Sequence, residues 1–150
     1  MIKILSFVDS FKQYEKPISE FQKRLGKKVE LIKLKPSKKR EESEMKKEET
    51  DRLLQVLEKT KGYKVLLFIG GKNFDSIEFE KFIAEKEMNF GEVVFIIGGA
   101  FGVDFEKIQH LIDYKFSFSK MTFPHSLALL ILYEQLYRSD TIKSGKNYHK

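Results

Sequence analysis

An α/β architecture, a mostly parallel sheet with helices on both faces, follows from three features of the 150-residue chain. Strand-like apolar segments at 2–8, 29–34, 65–69, 93–97 and 115–118 alternate with helical patterns, the signature of a layered parallel sheet. Two of those segments, Val65–Ile69 and Val93–Ile97, are continuous apolar runs, as central strands covered on both faces require. The composition is 41% hydrophobic and 33% charged, enough apolar material for a core without staples. A single domain over residues 1–150 is the expectation for this length.

The elements follow in order. Ile2–Val8 opens the sheet, and a helical pattern runs near Phe11–Leu25. Pro17 interrupts that pattern and can delay the helix start, because proline lacks an N–H and clashes with the preceding turn. Val29–Leu34 is the second strand. A long charged pattern, Lys39–Lys59, follows it, with Glu42–Lys46 and Glu48–Arg52 in the favourable i,i+4 order. This reads first as a solvated helix laced with ion pairs. Lys35, Lys38, Lys39 and Arg40 form a denser basic patch around Pro36-Ser37, read as a loop. Asp75-Ser76-Ile77-Glu78 carries a capping-box pattern and starts a helix over Ser76–Glu87. A helical pattern over Asp104–Leu111 precedes Lys115–Phe118, whose alternation of polar and apolar residues leaves one face wetter. Pro124 suits the first turn of the last helix, Pro124–Arg138. That helix is apolar around most of its circumference, so it needs burial on more than one side. A subunit interface is the expected second side.

The formal net charge is +6 and the pI about 9.3. This balance favours polyanionic partners, nucleic acid among them, but also serves solubility alone. Absence of cysteine excludes disulfides, thiolate metal sites and thiol nucleophiles. No apolar run reaches membrane-spanning length, and Met1–Asp9 has no signal-peptide pattern. A cytoplasmic protein without a membrane partner is the simplest expectation.

Gly98-Gly99-Ala100-Phe101-Gly102 follows a buried strand and precedes a helical pattern. Glycines there admit a ligand close to the backbone, or simply let the chain turn. The spacing is not the dinucleotide fingerprint, and Gly71-Lys72-Asn73 lacks the residues of a phosphate loop. His125 and His149 are each a candidate base or phosphate contact, or a helix-start and a tail residue without chemistry. No histidine pair has metal-ligand spacing and no carboxylate cluster joins them, so no metal site is expected. From Arg138 onward the chain carries Arg138, Lys143, Lys146 and Lys150 against Asp140, with Tyr137 and Tyr148 interleaved. Rings for stacking and cations for phosphates suit single-stranded RNA. A frayed basic terminus accounts for the same composition.

The combination of Ile97–Gly102, Phe116–His125, Glu134-Gln135-Leu136-Tyr137-Arg138 and Tyr148-His149-Lys150, with Gly71-Lys72 in mid-chain, closely resembles one family. It is the SPOUT-class large-subunit rRNA methyltransferase H family, which methylates N3 of a pseudouridine in the helix 69 region of 23S rRNA. The resemblance spans essentially the whole chain and is most specific in its last 60 or so residues. It implies an S-adenosylmethionine-dependent rRNA methyltransferase with a SPOUT-type C-terminal trefoil knot, acting as a homodimer on 23S rRNA within the ribosome. The implied cofactor pocket is Leu67, Gly99, Ser119, Lys120, Met121, Thr122, Phe123 and Pro124. The implied substrate side is His125, Glu134, Arg138 and Lys150, and the implied catalytic residues are His149, Arg138 and Tyr148. His149 or a bound water is the candidate proton acceptor, and Arg138 the candidate stabiliser of a deprotonated base.

Two departures from the family pattern stand out. Phe68 occupies the position of the usual acid in Leu-Asp-x-x-Gly-Lys, and Val8-Asp9-Ser10 replaces the usual N-terminal Gly-Lys. Two other readings compete: a non-catalytic RNA- or ribosome-binding module of the same fold, and a flavodoxin-like nucleotide or flavin binder, disfavoured by the missing phosphate-loop fingerprints. A valine at position 99 is expected to enter the ligand's space.

Overall fold

A computed structural model describes residues 1–8 and 13–150. The expected helix start at Phe11 and the Asp9-Ser10 departure lie outside the described residues. The sheet has five strands, all parallel: β1 (Ile2–Phe7), β2 (Val29–Leu34), β3 (Tyr63–Lys72), β4 (Val93–Ile97) and β5 (Tyr114–Phe116), in the order β2-β1-β4-β3-β5. The helices are α1 (Glu15–Leu25), α2 (Glu42–Lys59), α3 (Ser76–Phe90), α4 (Phe105–Ile108) and α5 (His125–Lys143).

Side chains alternate across a strand, and β4 applies that rule inside a fully buried segment. Val93, Phe95 and Ile97 join the core under α1, α3 and α5, while Val94 and Ile96 join the core under α2 and α4. Each face is therefore covered, which is why β4 reads as an unbroken apolar run. The edge strand β5 buries Phe116 and exposes Lys115, but Ser117, on the polar side of the expected alternation, is buried because its hydroxyl bonds Ser119 O.

Helix boundaries follow local chemistry. α1 starts at Glu15, ahead of Pro17; a first-turn N–H has no intrahelical acceptor, so proline is tolerated there. The capping box forms at α3: the Asp75 carboxylate accepts from the Glu78 N–H, and the Asp75 N–H donates to Glu78 Oε2, both at 2.8 Å. Pro124 is the N-cap of α5 rather than its first residue, with ψ 143°. α5 runs past Arg138 to Lys143 and ends where Gly145 takes φ +68° and its N–H donates to Ile142 O. The pattern over Asp104–Leu111 yields one α-turn and a short 3-10 turn, not a full helix.

β3 departs most from expectation. Both Leu67 and Lys72 pair with Phe116, so residues 68–71 arch out of the ladder. Gly70 turns the arch with φ +86°. A Cβ on Gly71 would lie 2.7 Å from the Phe116 backbone, so only glycine lets the chain rejoin β5 so closely. The Asn73 amide closes the junction by donating to Ser117 O at 2.8 Å.

Candidate active site

Ligands of open parallel sheets bind beyond the carboxyl ends of the strands. A cleft of about 1150 Å³ lies there. One wall is the β3 arch, with Leu67, Phe68 and Ile69. A second is the turn after β4, Gly98–Gly102, continuing through Asp104 into Phe105 and Glu106. The third is the segment after β5, with Ser119, Met121, Thr122, Phe123 and Pro124, closed by His125 and Ala128 of α5. Lys46 of α2 stands at the edge.

Backbone-anchored turns shape two of these walls. The Gly102 N–H donates to Gly99 O at 3.0 Å, with Gly102 at φ +74°. The Asp104 N–H donates to Thr50 Oγ1 of α2 at 3.0 Å. After β5, Ser117 Oγ donates to Ser119 O at 2.6 Å, and the Met121 N–H donates to Ser119 Oγ at 3.1 Å. Serine hydroxyls thus fold the segment locally and leave its remaining backbone free to face a ligand. Ile69, Phe101 and Met121 are exposed around the mouth, at 64%, 42% and 74%.

The structure brings together the expected cofactor residues Leu67, Gly99, Ser119, Met121, Thr122, Phe123 and Pro124, and sets His125 beside them. Lys120 is exposed and does not line the cleft. The reason expected for Gly99 is corrected. A Cβ there would meet Glu49 Oε1 at 2.1 Å, so the space it would fill belongs to a buried carboxylate of α2. Phe68, at the family's acidic position, packs on Phe105 with ring centroids 5.2 Å apart, and the Lys115 ammonium lies 5.3 Å and 4.8 Å from the two centroids. An aromatic pair capped by a cation stands where a carboxylate was expected. Lys46, Asp104 and Glu106 were missed. Glu106 and Asp104 follow the glycine turn directly in sequence, but Lys46 had no signal beyond its unused pairing with Glu42; the two form no ion pair.

The remaining expected residues assemble elsewhere, where the tail folds back on α5. The Arg138 guanidinium donates to Glu134 Oε1 through Nη2 at 2.6 Å and Nε at 3.1 Å. The Tyr148 hydroxyl donates to the same oxygen at 3.1 Å. Tyr148 packs edge-on against Tyr137 at 4.8 Å and under the Arg138 guanidinium at 4.8 Å. Arg138 Nη1 lies 3.2 Å from His149 Nδ1. Arginine can only donate, so Nδ1 is the acceptor and the ring proton sits on Nε2. Burial, then the Glu134 charge, pushes the Tyr148 phenol above its ordinary value of 10.0. Lys150 is exposed. Arg138 lies 10 residues beyond Ala128, the last α5 residue that lines the cleft, about 15 Å at the helical rise. Within one chain the cleft and the tail cluster are thus separate sites.

A family model described as "Predicted SPOUT methyltransferase" matches residues 1–149. The chain belongs to the SPOUT methyltransferase family. As a SPOUT methyltransferase it is an enzyme of methyl transfer and requires a methyl donor. It is similar to proteins named ribosomal RNA large subunit methyltransferase H. That of Mycoplasmopsis synoviae is 39% identical over 93% of this chain and 92% of the relative. That of Lactobacillus delbrueckii subsp. bulgaricus is 38% identical over 93% and 92%. That of Caldicellulosiruptor saccharolyticus is 34% identical over the full length of both. Among the described residues no three His, Asp or Glu side chains could share a metal ion, and no helix is long and apolar enough to cross a membrane.

Proposed function

We propose that this SPOUT methyltransferase uses S-adenosylmethionine to methylate N3 of a pseudouridine in the helix 69 region of 23S rRNA, within the ribosome and in the cytoplasm. Residues 1–150 act as one domain with a C-terminal trefoil knot, and two copies form a homodimer. The observation that carries the reading is the cleft at the strand ends. Its roughly 1150 Å³ exceeds the about 300–1,000 Å³ of a single small-molecule site, so donor and incoming base fit together. Its walls are largely backbone and apolar side chains, which suit an adenosine, and Asp104 and Glu106 offer carboxylates beside a cationic donor.

S-adenosylmethionine supplies a methyl group on a sulfonium, already activated for transfer. The protein's task is then alignment of donor and acceptor. Leu67, Gly99, Ser119 and Met121–Pro124 hold the donor, and His125, Glu134, Arg138 and Lys150 hold the RNA. Arg138, Tyr148 and His149 present donors and positive charge to the base as it loses its N3 proton. Because Arg138, on which Tyr148 and His149 pack, stands about 15 Å along α5 from Ala128 in the cleft of its own chain, the three serve the cleft of the partner subunit. His149 Nδ1 already accepts from Arg138, which makes His149 a hydrogen-bond donor through Nε2 and leaves a bound water to accept the N3 proton.

The test is transfer of a labelled methyl group from S-adenosylmethionine to ribosomes, subunits and free rRNA lacking the modification, with the labelled nucleotide mapped. Incorporation at one pseudouridine is expected. Ribosome binding without incorporation would establish the non-catalytic module instead. A coloured, flavin-loaded protein would establish the flavodoxin-like reading.

A further inference from the structure

Lys35, Lys38, Lys39 and Arg40 are exposed in the stretch joining β2 to α2. Among the described residues their side chains have no ion-pair or hydrogen-bond partner. The stretch nevertheless has a fixed shape. The Arg52 guanidinium donates to Lys35 O at 2.7 Å, the Ser37 N–H to Glu49 Oε2 at 2.9 Å, and the Lys39 N–H to Ser37 Oγ at 3.1 Å. Unpaired cations held close together repel one another, and a polyanion relieves that repulsion. The acids that follow, Glu41, Glu42 and Glu44, are the N-cap and first turn of α2, where the helix dipole favours them.

The anchor of this loop also reaches the cleft. Glu49 is 2% exposed, and while Oε2 holds Ser37, Oε1 has no partner and fills the space beneath Gly99. Lys46, about one turn earlier on the same helix, lines the cleft. The basic loop and the cleft therefore meet at one buried carboxylate, wedged between Ser37 and the glycine turn, with Lys46 of the same helix lining the cleft.

We infer that the Lys35–Arg40 loop docks the phosphates of the RNA strand whose base enters the cleft. Glu49 is a positioning residue that fixes this loop against the Gly98–Gly102 turn. The inference rests on the rRNA methyltransferase reading above. It assigns phosphate contact to a segment between β2 and α2 rather than to the basic tail, which the composition had put forward for that task.

The test is a variant with Lys35, Lys38, Lys39 and Arg40 all changed to Gln, assayed for methyl transfer to ribosomes across 50–200 mM salt (on the order of the range over which counterion release is read). Each lost phosphate contact removes about 0.7–0.9 from the slope of log affinity against log salt. The expected result is a KM for ribosomes raised at least about tenfold and a slope shallower by about 3, with S-adenosylmethionine affinity unchanged by calorimetry. An unchanged KM and slope would overturn the inference. So would an equal effect from Lys59→Gln with Lys61→Gln at the far end of α2, since that is bulk charge. Glu49→Ala is expected to raise the ribosome KM and weaken cofactor binding together, and Glu49→Gln, which keeps an acceptor for Ser37, to restore both. Failure of Glu49→Gln to rescue would remove the positioning role. An inactive wild-type protein would count against the methyltransferase reading itself, whereas an active wild type indifferent to the loop sinks only the docking surface.

Discussion

A Cβ at position 99 would stand 2.1 Å from Glu49 Oε1, well inside any non-bonded contact, and that carboxylate is buried and tied through Oε2 to the Ser37 N–H. Gly99→Ala is therefore expected to cost about 1–3 kcal/mol by overpacking. Glu49→Ala in the same chain should return much of that loss, with a coupling of at least about 0.5 kcal/mol in a urea double-mutant cycle. Additive effects would show that the two residues do not share the space. A close approach at Gly99 was legible in the sequence, because a glycine turn after a buried strand signals one. The approaching group was not, because Glu49 lies 50 positions upstream in a pattern that reads as a solvated helix. The same limit applies to Phe68. Its departure from the acidic pattern was visible, but its partners Phe105 and Lys115 come from elements that only the fold brings beside β3.

The strands and helices themselves were largely legible, since hydrophobic period is set by the same burial that forms them. The errors cluster where backbone leaves the regular pattern. The apolar run 65–69 marks only the regular part of β3; beyond it the strand arches and resumes at Lys72. α4 is shorter than its apolar spacing suggested, since the chain at Gln109–Leu111 tightens to 3-10 before entering β5. The arch makes its own prediction. With the Phe116 backbone 2.7 Å from a Cβ at Gly71, Gly71→Ala must separate β3 from β5. Both adjoin the cleft, so the variant should lose about 1–3 kcal/mol of stability and bind S-adenosylmethionine more weakly, as thermal unfolding and calorimetry would report. A variant with wild-type stability would mean that the junction gives way without cost.

Several buried groups act on the molecule as a whole. Burial pushes the phenols of Tyr63, Tyr133 and Tyr148 above the ordinary value of 10.0. The folded state then holds these protons more tightly than the unfolded chain. Their contribution is fully present below about pH 10 and is lost as pH rises through the folded values. Urea unfolding across pH 9–11 (about the tyrosine range) should show falling stability, and Tyr133→Phe should blunt the fall. The placement of cleft and tail yields a second, independent expectation. Tail residues on one protomer that complete the partner's cleft make two defective chains complementary. Ala100→Trp fills the cleft at an exposed lining position, and deletion of Tyr148–Lys150 removes the tail; each homodimer should be inactive. Random exchange makes half the dimers mixed, each with one intact cleft facing one intact tail, so activity should return to about one quarter of wild type in a two-fold symmetric assembly. Sites completed within a single chain would give no recovery, because neither protomer carries both intact parts. Recovery is therefore the measurement that separates a shared site from a tail that swings back to its own cleft.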